Sequence, residues 1–521
     1  MVPSSNGKAA AQRLTQGPGR SGRPNKNSLP VLRFRKTVVS ETLRSALPVS
    51  RLEHQGRKSL AGAGVLLAAG GISAWLYYWA GDLHRFTQWI AAYIWLYVAL
   101  LGLYAISSYF VWRAPAASSR SLSLGAAALI LVFGAFFRLE LVGRRPFLSS
   151  DIYRYIWDGR VQAAGVNPYR YVPDAPELAG LRDDRIYPNI NRGDYALTPY
   201  PPAAQAVFFG IYLARPSSVT AFKAAMSLFD MLTMLAIMLV LAREGLNPAR
   251  AIIFAWNPLI IFEGAHSGHI DSVFIAFLAV ALLFRSHKKS AAAGIMLALA
   301  AAVKFYPALL LPVFLYGSEE SASISSRGGL GEYLSRLKDT VLVRRNLILM
   351  AAFVLTIALI YVPYLSVGAG VLGNLLNEFK EEGFTGGGSR YFILDLARRA
   401  IPIPTMLFLV ASALALIWIG SRWLTAEKRA SADAAKGSVA LIGLYLIIIS
   451  PRYAWHYAWL VPFLCFAPRM AWFYLTGASV LLYLTWYKPL EYPGIPLWLG
   501  ALVFLPVLLF GVRDWRRNVG T

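Results

Sequence analysis

Apolar runs long enough to cross a membrane recur along the chain, separated by short polar segments. The first three, 59–80, 88–112 and 123–142, each suffice to span a bilayer as a helix. The pattern then breaks. Across 143–218 the residues Pro168, Pro173, Pro176, Pro188, Pro199, Pro201 and Pro202 punctuate a stretch that predicts an ordered loop with short helices. Its apolar piece, 203–214, is too short to span and is expected to lie in the membrane interface. Further apolar runs follow at 219–243, 249–263, 272–285, 290–317, 346–366, 402–420, 438–449, 458–468, 471–487 and 494–512. The run at 290–317 is flanked on both sides by basic residues. It therefore reads as two short passes broken at Lys304-Phe305-Tyr306-Pro307, because proline disfavours helix before it. The expected fold is all-α, a polytopic membrane helical bundle of about 12–14 spans.

Composition agrees: 57% of the 521 residues are hydrophobic and only 15% charged, against roughly 25% charged in soluble domains. The net charge of +24 would suit a nucleic-acid partner if it formed a patch. Instead the basic residues gather in the N-terminal tail and in short segments between apolar runs, which is the signature of cytoplasmic anchoring. No nucleic acid is expected, and the bilayer is the expected partner. Residues 1–58 read as a disordered basic cytoplasmic tail, 59–512 as the transmembrane domain and 513–521 as a cytoplasmic C-terminal tail. No apolar h-region follows Met1, so no cleaved signal peptide is expected. The single cysteine, Cys465, excludes a disulfide framework and reads as a buried small hydrophobe.

Placing basic loops inside puts 143–218, the 263–271 turn, the tip at Lys304, the loop at 367–400 and the 450–457 segment on the extracytoplasmic side. The ionisable clusters collect there, and near lipid such groups are costly and usually functional. In the first, Asp151, Tyr155, Asp158 and Gln162 share one helical face. Arg154 can pair with Asp158, which leaves Asp151 freer to act as a general base. Alternatively, Asp151 is only a first-turn acid favoured by the helix dipole, with Ser150 as its cap. Arg160, Asn167 and Tyr200 are further candidates for substrate contact in this loop. His266, His269 and Asp271 have loose zinc spacing, but ligation needs a convergent further ligand, and no metal is expected. Hydrogen bonding of His269 and Asp271 to a sugar or phosphate is the other reading, beside polar capping of two span ends. Lys304 is a lone cation in an apolar hairpin that needs an anion, such as a lipid phosphate, or backbone carbonyls, unless it snorkels to the headgroups. Arg452 and His456 lie one turn apart and could hold the same anion, or belong to an interfacial belt with Tyr453, Trp455, Tyr457 and Trp459. The glycine-rich segment Gly383 to Ser389 reads as a linker or a gate.

These residues together resemble the GT-C superfamily of membrane glycosyltransferases, and most nearly glycosyltransferase family 87 and the polyprenol-phosphomannose-dependent mannosyltransferases. Asp151 and Tyr155 are followed by Gly165-Val166-Asn167-Pro168-Tyr169. Then come Tyr200-Pro201-Pro202, Asn257-Pro258, Gly268-His269-Ile270-Asp271, Lys304-Phe305-Tyr306-Pro307, Ser450-Pro451-Arg452 and His456-Tyr457. The resemblance spans roughly 120–465 and rests on the order of the motifs. It departs in one respect: three spans precede the first large loop where the usual pattern has one.

The resemblance implies transfer of a hexose, with mannose favoured, from a polyprenyl-phosphate carrier to a hydroxyl of a glycan or lipid acceptor outside the cytoplasmic membrane. Asp151 would take the acceptor proton. Lys304, with Arg452 or His456, would stabilise the departing phosphate. No nucleotide-binding glycine loop is evident, in keeping with a lipid donor, and no cofactor is implied. Two rival readings are a transporter or flippase of lipid-linked sugars, which would expect internal repeats and midplane charges, and a non-catalytic envelope-assembly partner.

Overall fold

The expected apolar runs are helical in the computed structural model, which describes residues 49–85, 89–113, 120–317, 330–375, 377, 380, 391–425, 430–486 and 495–519. Seven helices there are long and apolar enough to cross a membrane. We number the longer helices in chain order: α1 (Val49–Ala80), α2 (Trp89–Arg113), α3 (Arg120–Val142), α4 (Asp151–Ala163), α5 (Pro202–Ala214) and α6 (Val219–Arg243). There follow α7 (Asp271–Ser286), α8 (Ser290–Val303), α9 (Leu330–Leu342), α10 (Arg344–Tyr361), α11 (Thr405–Thr425), α12 (Ser431–Ile449), α13 (Met470–Ala478) and α14 (Leu497–Val519). No strand occurs among the described residues. The protein is a polytopic all-α membrane protein.

Three expected passes are not continuous helices. The run at 249–263 is a chain of short segments, Pro248–Ala251, Ile252–Ala255 and Pro258–Ile261, ending in a π-turn at Phe262–His266. Asn247 and Asn257 each restart helix by accepting a bond from the backbone two residues on. The run at 290–317 breaks at Lys304, whose backbone is extended between α8 and the turn at Tyr306–Leu310. The segment after Ser450 restarts as Ala454–Leu460 and Val461–Leu464. In each case proline or a polar residue interrupts the backbone ladder where neighbouring helices can satisfy it.

The N-terminal tail expected at 1–58 lies outside the described residues up to 48, and the chain is helical from Val49. Residues 1–54 group separately from the body, and only 49–54, the start of α1, are described there. At the other end α14 runs on to Val519, into the stretch expected as a tail. The Gly383 to Ser389 segment lies outside the described residues.

Two buried polar contacts hold the helices that frame the site. Arg138 on α3 pairs with Asp230 on α6 at 3.0 Å and also donates to the carbonyls of Gly134 and Ala255. A buried charge needs such a partner and such bonds. Lys223 on α6 donates to the carbonyls of Leu141 and Arg144 at 2.7 and 2.5 Å. It thereby ties α6 to the end of α3 and to the first turn of the 143–218 loop. Around them lies an aromatic core in which Phe262 meets Tyr77, Tyr93 and Tyr97 at 5.6, 5.0 and 6.1 Å between centroids.

Candidate active site

Helix α4 begins at Asp151 because Ser150 leaves helical geometry, and Asp151 at the first position faces the positive end of the helix dipole. The Asp151 amide donates to Ser149 Oγ at 3.2 Å. Its carboxylate has Asn191 Nδ2 3.5 Å from Oδ1 and His269 Nδ1 3.8 Å from Oδ2. Burial pushes its pKa above the usual carboxylate value, against the charges of Lys304 and Arg192 and the Asn191 contact, which pull it down.

Asp158, two turns on, has a different environment. It is buried, paired with Arg154 at 2.9 Å, and accepts from Thr198 at 2.5 Å and Gln205 at 2.9 Å. These contacts tie α4 to the 196–200 segment and to α5. Tyr155 stacks on Phe208 of α5 at 4.6 Å and meets Tyr200 edge-on at 5.0 Å. The two helices approach closely at Gly159, where a Cβ would stand 2.7 Å from the Phe208 carbonyl oxygen. Arg160 donates to Leu181 and Ser217 and pairs with Asp183. Asn167 donates to the Tyr364 carbonyl and to Ser366, pinning the Gly165–Tyr169 turn to the chain that follows α10.

A cavity of about 1020 Å³ opens beside Asp151. Of the residues expected at the site, Asp151, Tyr200, Lys304 and His456 line it. Tyr155, Asp158, Arg160, Asn167, His269, Asp271 and Arg452 do not. The side chains of Tyr155, Asp158, Arg160 and Asn167 are engaged in holding the loop together. A polar wall of the cavity carries Asn191, Arg192 and Arg145, and an aromatic wall carries Tyr306, Tyr445, Tyr453 and Trp455.

Lys304 is not the lone cation the sequence suggested. Its Nζ lies 3.0 and 2.8 Å from the two oxygens of Asp271, which also accepts from Tyr306 at 3.2 Å. Asp271 opens α7 as Asp151 opens α4, so two helix N-termini each present a carboxylate near the cavity. His269 sits between them on the turn, stacked on Trp455 at 4.2 Å. Gly268 makes that turn possible: its φ of +74° is strained for other residues, and a Cβ there would crowd Ile152. Trp455, Tyr457 and Trp459 are buried. That corrects the interfacial-belt reading for these three, which pack within the protein. Among the described residues no group of three or more His, Cys, Asp or Glu could hold a metal ion.

Sequence reasoning missed Arg145, Asn191, Arg192 and Glu263. The first three lie in loop with no motif around them. Glu263 looked like the polar end of a span, yet its Oε2 lies 3.4 Å from His269 Nε2.

No curated protein matches the chain. Two family models do. One, alpha-(1->6)-mannopyranosyltransferase, N-terminal domain, matches residues 58–317 and so contains Asp151, His269 and Lys304. The other, glycosyltransferase family 87, matches residues 198–451. They overlap across the Tyr200 segment, the His269 turn and the Lys304 break. With the helical membrane architecture and the cavity at these same motifs, the two matches place the chain in the GT-C-like mannosyltransferase family of membrane glycosyltransferases.

Proposed function

We propose that this glycosyltransferase moves a hexose, with mannose favoured, from a polyprenyl-phosphate carrier to an acceptor hydroxyl on the extracytoplasmic side of the cytoplasmic membrane. The observation that carries the reading is the cavity itself. It joins one carboxylate at a helix N-terminus, Asp151, to cationic groups and to an aromatic wall. An amphipathic donor with an anionic link between sugar and lipid needs all three.

In this reading Asp151 accepts the proton of the acceptor hydroxyl as that oxygen attacks the anomeric carbon. The bond from that carbon to the phosphate oxygen breaks, and the polyprenyl phosphate leaves with the electron pair. Configuration inverts, because attack and departure take opposite faces. Lys304, His456 and Arg192 supply positive charge or donors toward the leaving phosphate. Arg452, which does not line the cavity, is left out of that role. Lys304 is held by both oxygens of Asp271, and the pair offers a fixed donor rather than a free cation.

Proteoliposomes given a labelled polyprenyl-phosphate mannose and a glycan or glycolipid acceptor should form a mannosylated product, whereas a nucleotide-linked mannose should give none. Transfer from the nucleotide sugar alone would sink the lipid-donor reading. Movement of the labelled lipid across the bilayer without product would favour a flippase.

A further inference from the structure

We infer that His269 is a positioning residue for Asp151: a neutral imidazole whose Nδ1–H holds one carboxylate oxygen, oriented by Glu263 behind it and Trp455 beneath it. This rests on Asp151 being the base proposed above.

The geometry is a buried line of three groups. His269 Nδ1 faces Asp151 Oδ2 at 3.8 Å, and its Nε2 faces Glu263 Oε2 at 3.4 Å. The His269 side chain is 1% exposed, and neither ring nitrogen completes a hydrogen bond within the described residues. A buried imidazole with both nitrogens aimed at carboxyl groups is costly unless those contacts close at some stage of the cycle. Each needs to shorten by only about 0.5–1 Å to reach hydrogen-bond length. Such bonds are often long before substrate enters and tighten when it does.

The ring can hardly swing away. Trp455 stacks on it at 4.2 Å with the planes 24° apart, and Tyr453 stacks on Trp455 in turn at 4.5 Å. The π-turn fixes the far end, because the His269 amide donates to the Glu263 carbonyl at 2.9 Å. Glu263 is itself held by Tyr483, which donates to its Oε1 at 2.8 Å. Burial, then the charge of Lys304, keeps the imidazole neutral, so it carries one N–H. With that proton on Nδ1, Nε2 is an acceptor, and the Glu263 carboxylic acid is the donor that faces it. The Nδ1–H then secures Oδ2 of Asp151 and leaves Oδ1, on the Asn191 side, for the acceptor hydroxyl. His269 thus acts through Asp151 and does not line the cavity, which replaces the expectation that it binds sugar or phosphate.

A donor to the ionised form lowers a carboxyl pKa. Losing it raises the pKa of Asp151, so the acid limb of the rate profile moves to higher pH. His269→Phe keeps the ring and its stacking but has no donor; His269→Gln keeps an N–H. We expect His269→Phe to lower kcat about 10–100-fold, with the KM for donor within about twofold and the acid limb displaced upward. His269→Gln should recover part of both. If His269→Phe does not fold, Glu263→Met reads the same claim by freeing the ring, with an upward displacement of the limb and a loss in kcat. Wild-type kcat and an unmoved limb in a folded variant would overturn the inference, as would equal losses in the Phe and Gln variants. The Asp151→Asn variant separates the two claims. If it is inactive while His269→Phe behaves as wild type, only the positioning role fails; if it is active, the base assignment fails first.

Discussion

Asp151 and Asp158 lie on one helical face, and their surroundings separate them. Asp158 has an arginine, a threonine and a glutamine on its carboxylate, so its oxygens are occupied. Asp151 has one long contact to Asn191 and an imidazole out of bonding range. That difference was half legible in the sequence: the i, i+4 spacing of Arg154 and Asp158 pointed to the pair, whereas Thr198 and Gln205 come from other segments. Because burial raises the Asp151 pKa in the folded protein, the folded state binds more protons than the unfolded one between the ordinary and the raised value. Stability therefore falls as pH rises through that window. Asp151→Asn, which removes the buried charge, is expected to raise the melting temperature of the detergent-solubilised protein by about 1–3 °C at pH 7. The gain should vanish at a pH below both values. Scanning fluorimetry at two pH values checks this; a lower melting temperature at pH 7 would mean the carboxylate is a net structural stabiliser.

Among the elements, the breaks carry the site. The K-F-Y-P break and the N-P restart were legible because proline and asparagine have local consequences that need no tertiary partner. The partner of Lys304 was not, since Asp271 lies 33 residues away and meets it only when α7 and α8 pack. Hydropathy averages over the Asn257-Pro258 restart, so it cannot show that the run at 249–263 divides into short segments and ends in a π-turn. The turn at Gly268 has little slack. A Gly268→Ala variant adds a Cβ at positive φ against Ile152 of α4. It should cost about 1–2 kcal/mol of local strain and displace His269 and Asp271 together. The expected result is a loss in kcat of at least about tenfold with donor binding weakened, since 1 Å of misplacement is that costly. Gly165→Ala is the control: its φ of +77° is equally strained, but a Cβ there meets open space. It should lose stability while changing kcat less.

The whole molecule is a helical membrane protein in which two chain breaks, at Lys304 and after Ser450, meet the 143–218 loop at one cavity, with the His269 turn behind Asp151. Apolar run length and charge distribution made the class readable, because span length and basic flanks follow from the bilayer itself. The count of passes was less readable. Seven helices have spanning length among the described residues, and the other apolar passages are shorter or interrupted. The convergence was readable only as an ordered list of motifs; which of them face the cavity depends on packing. The proposed transfer stands on one carboxylate, Asp151. Purified protein in proteoliposomes, saturated with labelled polyprenyl-phosphate mannose and a glycolipid acceptor, should transfer sugar in a single turnover. The folded Asp151→Asn protein should bind the donor with affinity unchanged within about twofold and transfer about 10²–10⁴ times more slowly. Transfer at the wild-type rate by that variant would contradict the account.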